Sequence, residues 1–220
     1  MAPEALAARH PRLFHQTAPD AWPGIRTHGL LPTTAILQRL HLPSAQIDAL
    51  THYPRPHGLV FEQTPLGRVE INDNRPLSHA ALERCLDDGL SPQDWCAMLA
   101  ARTFFWADEH RGLSRLLNAK TNRDRPRDVL VIDTLSLARA HRARIQLSPI
   151  NSGATIRKAA RRGMRTFAPM RDFDTYAGWA ALRGRRDTVL EVVVPGAVPD
   201  LADHVTEVRR YANGSYRVLD

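Results

Sequence analysis

The stretch Asp187–Gly196, DTVLEVVVPG, is the one to read first. Val189, Leu190, Val192, Val193 and Val194 are mostly β-branched, and Pro195-Gly196 is a turn signal, so the run is a strand with a defined end. A continuous apolar run of this kind suits a strand covered on both faces. Glu191 interrupts it. A carboxylate in an apolar strand carries a desolvation cost of several kcal/mol unless it is paired or faces a wet cleft. Alternation puts Val189, Glu191 and Val193 on one face and Leu190, Val192 and Val194 on the other. Glu191 therefore points into a pocket or, if the strand is an edge, out to solvent.

The chain has 220 residues, enough for one large domain or two small ones, and a hydrophobic content of 43% supports a real core. Net charge is +7, and Lys120 and Lys158 are its only lysines. Arginine suits bidentate contact with phosphate and carboxylate, so the excess makes attraction to a polyanion plausible; a high-GC genome also raises Ala, Arg and Pro together. Cys85 and Cys96 are the only cysteines, without a CxxC or a nearby His pair, which argues against a disulfide framework or a zinc site. The N-terminus lacks an apolar signal region and no run approaches the ~20 apolar residues of a membrane span, so a soluble cytoplasmic protein without membrane contact is expected.

Outward from the Glu191 strand, the pattern predicts one α+β domain over residues 1–220: short strands in a split, mostly antiparallel sheet pair, with peripheral helices. Residues 2–9 read as a helix and 12–17 as a strand. Asp20 is placed as the cap of the next helix and Gly29 as its C′ residue; 33–41 is helical, and Ser44 caps a further helix through Leu50. Residues 51–67 read as loop and 68–71 as a short strand. Ser78 starts a helix that Gly89 ends, and Ser91-Pro92-Gln93-Asp94 is a helix start. Strands are expected at 102–106, 129–132 and 144–147, with helices at 109–119, after 132 to about Ala140, and at 171–183. The last strands are Val205–Tyr211 and Tyr216–Leu219 around an Asn213-Gly214 hairpin turn.

Four features stand out chemically. Leu13-Phe14-His15-Gln16-Thr17 carries a polar set in an apolar strand, although a lone strand His is more often structural. Phe104-Phe105-Trp106-Ala107-Asp108 runs from a strand into a helix; three aromatics in a row usually mean core. Ser148–Thr155, SPINSGAT, is a polar loop around Gly153, followed by Arg157, Lys158, Arg161, Arg162 and Arg165. Ser148, Asn151, Ser152 and Thr155 offer polar groups and Gly153 allows close backbone approach, which suits an anion. The fourth feature is Glu191.

In this order the four resemble the ADP-ribosyltransferase superfamily, most nearly its poly(ADP-ribose) polymerase, DarT-like and tRNA 2′-phosphotransferase branches. Those families carry a His followed two residues on by Ser or Thr, like His15 and Thr17, and the His28-Gly29-Leu30 segment is similar to the one that follows. Phe104–Asp108 resembles the polymerases' aromatic strand, and Leu190–Pro195 resembles the late strand with the catalytic Glu. Phe105 stands where the polymerases have Tyr, Leu116 falls near a second stacking Tyr, and SPINSGAT has no counterpart in the better-known branches.

The resemblance implies NAD as substrate, with no metal, and transfer of ADP-ribose to a macromolecular acceptor, nucleic acid by analogy with DarT-like toxins, with an antitoxin or inhibitor protein as a further expected partner. Cleaving the nicotinamide–ribose bond passes through an oxocarbenium-like state that a fixed carboxylate stabilises. By resemblance Glu191 binds the 2′-hydroxyl of the nicotinamide ribose, His15 bonds the adenosine ribose, Thr17 helps hold the carboxamide, Gln16 between them counts among the cofactor-binding residues, and Phe105 or Tyr176 stacks on the ring. The Ser148–Thr155 loop, Arg157 or Arg102 serves the diphosphate. Three alternatives stand beside this: a non-catalytic NAD, nucleotide or RNA-end sensor of the same fold, an RNA 2′-phosphotransferase-like enzyme, and an unrelated α+β fold with Glu191 on an exposed edge.

Overall fold

The computed structural model describes residues 1–118, 125–156, 159–183, 188–212 and 214–219. It is a mixed α/β chain. In order it runs α1 (Pro3–Arg9), β1 (Arg12–Thr17), α2 (Trp22–His28), α3 (Thr33–Arg39), α4 (Ser44–His52), β2 (Leu59–Phe61), β3 (Val69–Ile71), α5 (His79–Cys85), α6 (Pro92–Ala100) and β4 (Arg102–Trp106). Then come α7 (Ser114–Leu117), β5 (Arg127–Asp133), α8 (Thr134–Ala140), β6 (Gln146–Ser148), β7 (Ala168–Pro169), α9 (Tyr176–Arg183), β8 (Glu191–Pro195), β9 (Val205–Ala212) and β10 (Ser215–Val218).

Among the described residues eight strands form one antiparallel series, β10-β9-β5-β1-β4-β8-β6-β7, and β2-β3 is a separate ribbon. The series is unevenly joined. β1 pairs with β5 through six register positions and β4 with β8 through five. Between β1 and β4 a single pair, Phe14 with Trp106, holds the halves together. The expected sheet pair is therefore one sheet that opens at its middle. β8 lies between β4 and β6, so Glu191 sits on an interior strand and the solvent-edge alternative is overturned.

One face of the sheet is closed by α1, α2, α8 and α9 over a core that includes Leu13, Phe105, Leu130, Ile132, Trp179, Val192 and Val194. On the other face α5 and α6 bring Leu82, Cys85, Trp95 and Cys96 against Phe167 and Val193. The ribbon β2-β3 with α3 and α4 has its own small core around Leu37, Leu66, Val69 and Ile71. A partly buried pair ties this unit to the sheet: Arg127 donates to Glu70 at 2.7 Å. No helix among the described residues is long and apolar enough to cross a membrane.

Several local expectations hold for the stated reasons. Ser78 accepts from the Ala81 N–H, and Ser91 with Asp94 forms a reciprocal capping box. Gly29 ends α2 at φ +76°, where an added Cβ would stand 2.4 Å from the Pro199 Cα. Others need correcting. Asp20 does not cap α2, whose N-cap is Ala21; it takes φ 63°, its N–H donates to Asp128 and its carboxylate accepts from Arg210. Pro43 precedes α4 in the cap position that Ser44 was expected to fill. α5 ends at Cys85, well before Gly89. Residues 51–67 contain β2, and the expected helix 109–119 opens with a π-helical turn, Glu109–Leu113, ahead of α7. The expected 171–183 helix starts only at Tyr176, and β8 only at Glu191. Asn213 of the expected hairpin turn lies outside the described residues.

Candidate functional site

Glu191 opens β8, flanked by Trp106 of β4 and Ser148 of β6 as register partners. Directly opposed residues of antiparallel strands share a face, so Trp106, Ser148 and Glu191 lie on one side of the sheet and Phe105, Leu147 and Val192 on the other. The Glu191 side chain is buried. Its Oε1 accepts the Ser152 N–H at 3.1 Å, whereas Oε2 is buried with no partner. Burial pushes its pKa up from 4.5 to about 7; the hydrogen bonds of Ser152, the charge of Arg162 and the Ser148 hydroxyl oppose the rise. Near neutral pH this carboxyl group therefore stands between its two protonation states.

A cavity of about 370 Å³ opens over Glu191, lined by Trp106, Phe104, Arg102, Asn151–Ala154, His15 and Gln16 among others. A second, of about 260 Å³, lies under α2 and the β2-β3 ribbon, with Thr17, Ile25, Gly29, Ile36, Arg68 and Ile71 in its wall. Both are lined by His15, Gln16, Leu31, Thr33, Arg55, Asn72 and Asp73, so they are two lobes of one cleft at the opening of the sheet.

His15 bridges that opening. Its Nδ1 lies 2.9 Å from the Phe104 carbonyl oxygen. A carbonyl only accepts, so Nδ1 carries the proton, and burial lowers the ring's pKa and keeps it neutral. Nε2 is left as a lone-pair acceptor on a ring that lines both lobes. Beside it, Gln16 Oε1 is buried without a partner. Two orphaned oxygens, those of Gln16 and Glu191, thus belong to residues of one cleft, and a buried polar atom left unpaired costs ~1–3 kcal/mol. Such a cost is expected where a ligand supplies the missing bonds.

The other site expectations divide. Asn151 and Ser152 line the Glu191 lobe, with Asn151 Oδ1 turned back on the Gly153 N–H. Arg102 also lines it, but donates to Gln146 and the Met98 carbonyl. Ser148 does not line the cavity, but it lies opposite Glu191 and its hydroxyl, which donates to the Ile150 carbonyl, also acts on that carboxyl group; Thr155 Oγ1 ties the loop to Pro76 and Ser78. Phe105 borders the cavity but packs into the core, because register turns it away from Glu191. Tyr176 lies elsewhere, its hydroxyl bonded to His10 and the Val189 N–H. Neither is placed to stack on a ligand beside Glu191. Thr17 lines the second lobe only. Arg157 lies outside the described residues.

A family model, described as a family of unknown function (DUF7002), matches residues 11–205. The chain belongs to DUF7002. The matched span contains every residue named above as lining either lobe. No curated protein and no solved structure matches the chain.

In this DUF7002 chain the aromatic beside Glu191 is Trp106. It packs on Gly112, where an added Cβ would come within 2.4 Å of the indole, so the π-helical turn and its glycine are what let the ring lie there. Arg55 is a second residue sequence reasoning passed over. It lines both lobes, and its guanidinium donates to the carbonyls of Leu50 and Asn72. Arg162 and Trp95 lie behind the 151–154 loop and donate to its carbonyls. Away from the cleft, His141, Asp200 and His204 bring ligand-type atoms within 4.8 Å of one another. Arg144 donates to His141 Nδ1 at 2.7 Å, which leaves Nε2 protonated and donating to Asp200 at 2.8 Å. That pattern reads as an Arg–His–Asp–His network clamping α8 to the turn before β9.

Proposed function

We propose that this DUF7002 chain binds NAD across the two lobes and cleaves its nicotinamide–ribose bond, transferring ADP-ribose to a macromolecular acceptor. The observation that carries the reading is Glu191: a buried carboxylate at the opening of the sheet, with one oxygen fixed by a main-chain N–H and the other left for a ligand. It agrees with the ADP-ribosyltransferase resemblance of the His15, Phe104–Asp108 and Glu191 strands.

In this reading Oε2 of the ionised Glu191 accepts a ribose hydroxyl, and its charge stabilises the cation that develops on the ribose as nicotinamide departs. The Ser152 N–H keeps the carboxylate from turning away. Neutral His15 accepts a hydroxyl of the other ribose through Nε2. Trp106 takes the stacking role that Phe105 was expected to fill, and Arg55 is the cation that a diphosphate crossing between lobes meets. The net charge of +7 favours a polyanionic acceptor such as nucleic acid.

A second reading, NAD binding without turnover, is favoured by one observation: neither Phe105 nor Tyr176 is free to stack on a nicotinamide. One experiment separates the two. Purified protein is incubated with NAD alone and with DNA, RNA or cell lysate, while nicotinamide release and heat stability are followed. Release that one additive accelerates is the expected result and identifies the acceptor class. Stabilisation by NAD without release selects the binder; neither effect overturns both.

A further inference from the structure

Arg162 carries its charge in an unusual place. It is 2% exposed. Its guanidinium faces three main-chain carbonyls: Nε donates to Ala160 at 3.1 Å, Nη1 to Ser152 at 3.1 Å and Nη2 to Ala154 at 3.0 Å. Its own backbone is pinned to the end of α5, where its N–H donates to Cys85 and its carbonyl accepts from Asp87. The Ser152 carbonyl has a second donor, Trp95 Nε1 of α6, at 3.2 Å. Trp95 is itself fully buried and stacked on Phe167 at 5.4 Å.

Ser152 is therefore gripped from behind by two rigid donors, while its N–H donates forward to Glu191 Oε1. A residue whose carbonyl is fixed by two bonds keeps little freedom to swing its N–H. Three bonds to neutral carbonyls are an expensive use of a buried cation if the purpose is only to shape a loop. Placed here, the positive charge also acts on Glu191. Among the described residues the other titratable or charged groups on this lobe, His15, Arg55, Asp73, Cys96 and Arg102, line its walls on β1, β4, α6 and the 53–74 segment.

We infer that Arg162, seconded by Trp95, is a positioning residue for Glu191: it clamps the Ser152 peptide so that its N–H meets the carboxylate, and it supplies the counter-charge behind that peptide. The role builds on the function proposed for Glu191, yet it is read on the ionisation of one side chain and does not depend on turnover. Losing the clamp removes both a hydrogen bond and a favourable charge from the ionised form.

The test is a carboxyl-carbon NMR titration of Glu191 in protein labelled at glutamate side chains, with the signal assigned by its absence in Glu191→Gln. Three variants are compared with wild type: Arg162→Gln, Arg162→Lys and Trp95→Phe. Arg162→Gln is expected to weaken Glu191 as an acid on the order of tenfold, which moves its midpoint up by about one pH unit. Trp95→Phe keeps an aromatic ring and loses the indole donor, so it moves the midpoint in the same direction by less. Arg162→Lys, which restores charge without the fork, returns it part of the way. If the Arg162 variants unfold, Trp95→Phe alone decides. A midpoint unchanged in every folded variant overturns the inference. A moved midpoint in a protein that never releases nicotinamide keeps the clamp and discards the transferase reading.

Discussion

Glu191→Gln is expected to be more stable than the wild-type protein at pH 8, and no more stable at pH 4.5. The folded state holds the Glu191 proton more tightly than the unfolded chain does, because burial raises the pKa from 4.5 to about 7. A raised carboxyl pKa contributes nothing unfavourable below the unfolded value. Stability is then lost as pH climbs from 4.5 through 7, where the folded protein must bury a charge. The displacement corresponds to about 3 kcal/mol once both states are ionised. Gln keeps the shape and an acceptor for the Ser152 N–H without the charge. For a domain of this size the gain is roughly 6–12 °C in Tm at pH 8. Chemical denaturation of both proteins at the two pH values checks it. A variant less stable than wild type at pH 8 would mean that the charged carboxylate is well served in the empty protein, which would remove the case for a waiting ligand.

The second large effect is on the pH dependence of NAD cleavage. Only the ionised carboxylate stabilises the developing ribose cation, so the rate should rise with pH and level off above about 7. Two units below the midpoint, at pH 5, about one-hundredth of the plateau rate remains. His15 adds no opposing limb between pH 7 and 8, since burial keeps its pKa below 6.5 and its ring neutral there. Initial rates of nicotinamide release between pH 5 and 8.5 give the profile. A flat profile across that range would show that Glu191 does not act as an ionised group.

These two effects explain why part of the site was legible. Glu191 is a charge inside an uninterrupted β-branched run, and that local conflict holds whatever packs around it. His15 stood out in the same way. What failed was facing. Three consecutive aromatics, Phe104 to Trp106, give no sign of which of them share a side with Glu191; the register between β4 and β8 decides that Phe104 and Trp106 do and Phe105 does not, and Trp106 pairs with a residue 85 positions away. Tyr176 opens a helix that was anticipated with too early a start, and its side chain turns toward His10. Arg55 left no signal, and Arg162 showed only as one cation of a basic run, because both spend their guanidinium groups on main-chain carbonyls, which no side-chain pattern announces, and arginine is common throughout the chain.

The fold divides along the same line. Strands with several β-branched residues and helices with Ser caps were readable from local chemistry. β2 was not, since three residues paired only with another three-residue strand carry little pattern. Thr155 looked like a ligand because a polar loop serves its own turns as readily as it serves an anion. The near-separation of the sheet at Phe14–Trp106, which creates the cleft, is a property of pairing and not of any one segment.

The most direct measurement is nicotinamide release from NAD at pH 8, wild type beside Glu191→Gln, with the most effective acceptor present and both proteins shown to bind NAD. The account predicts release by the wild type that falls ~10²- to 10³-fold in the variant while binding is retained. Equal release by the two proteins would contradict it, because the buried carboxylate would then be no part of the chemistry.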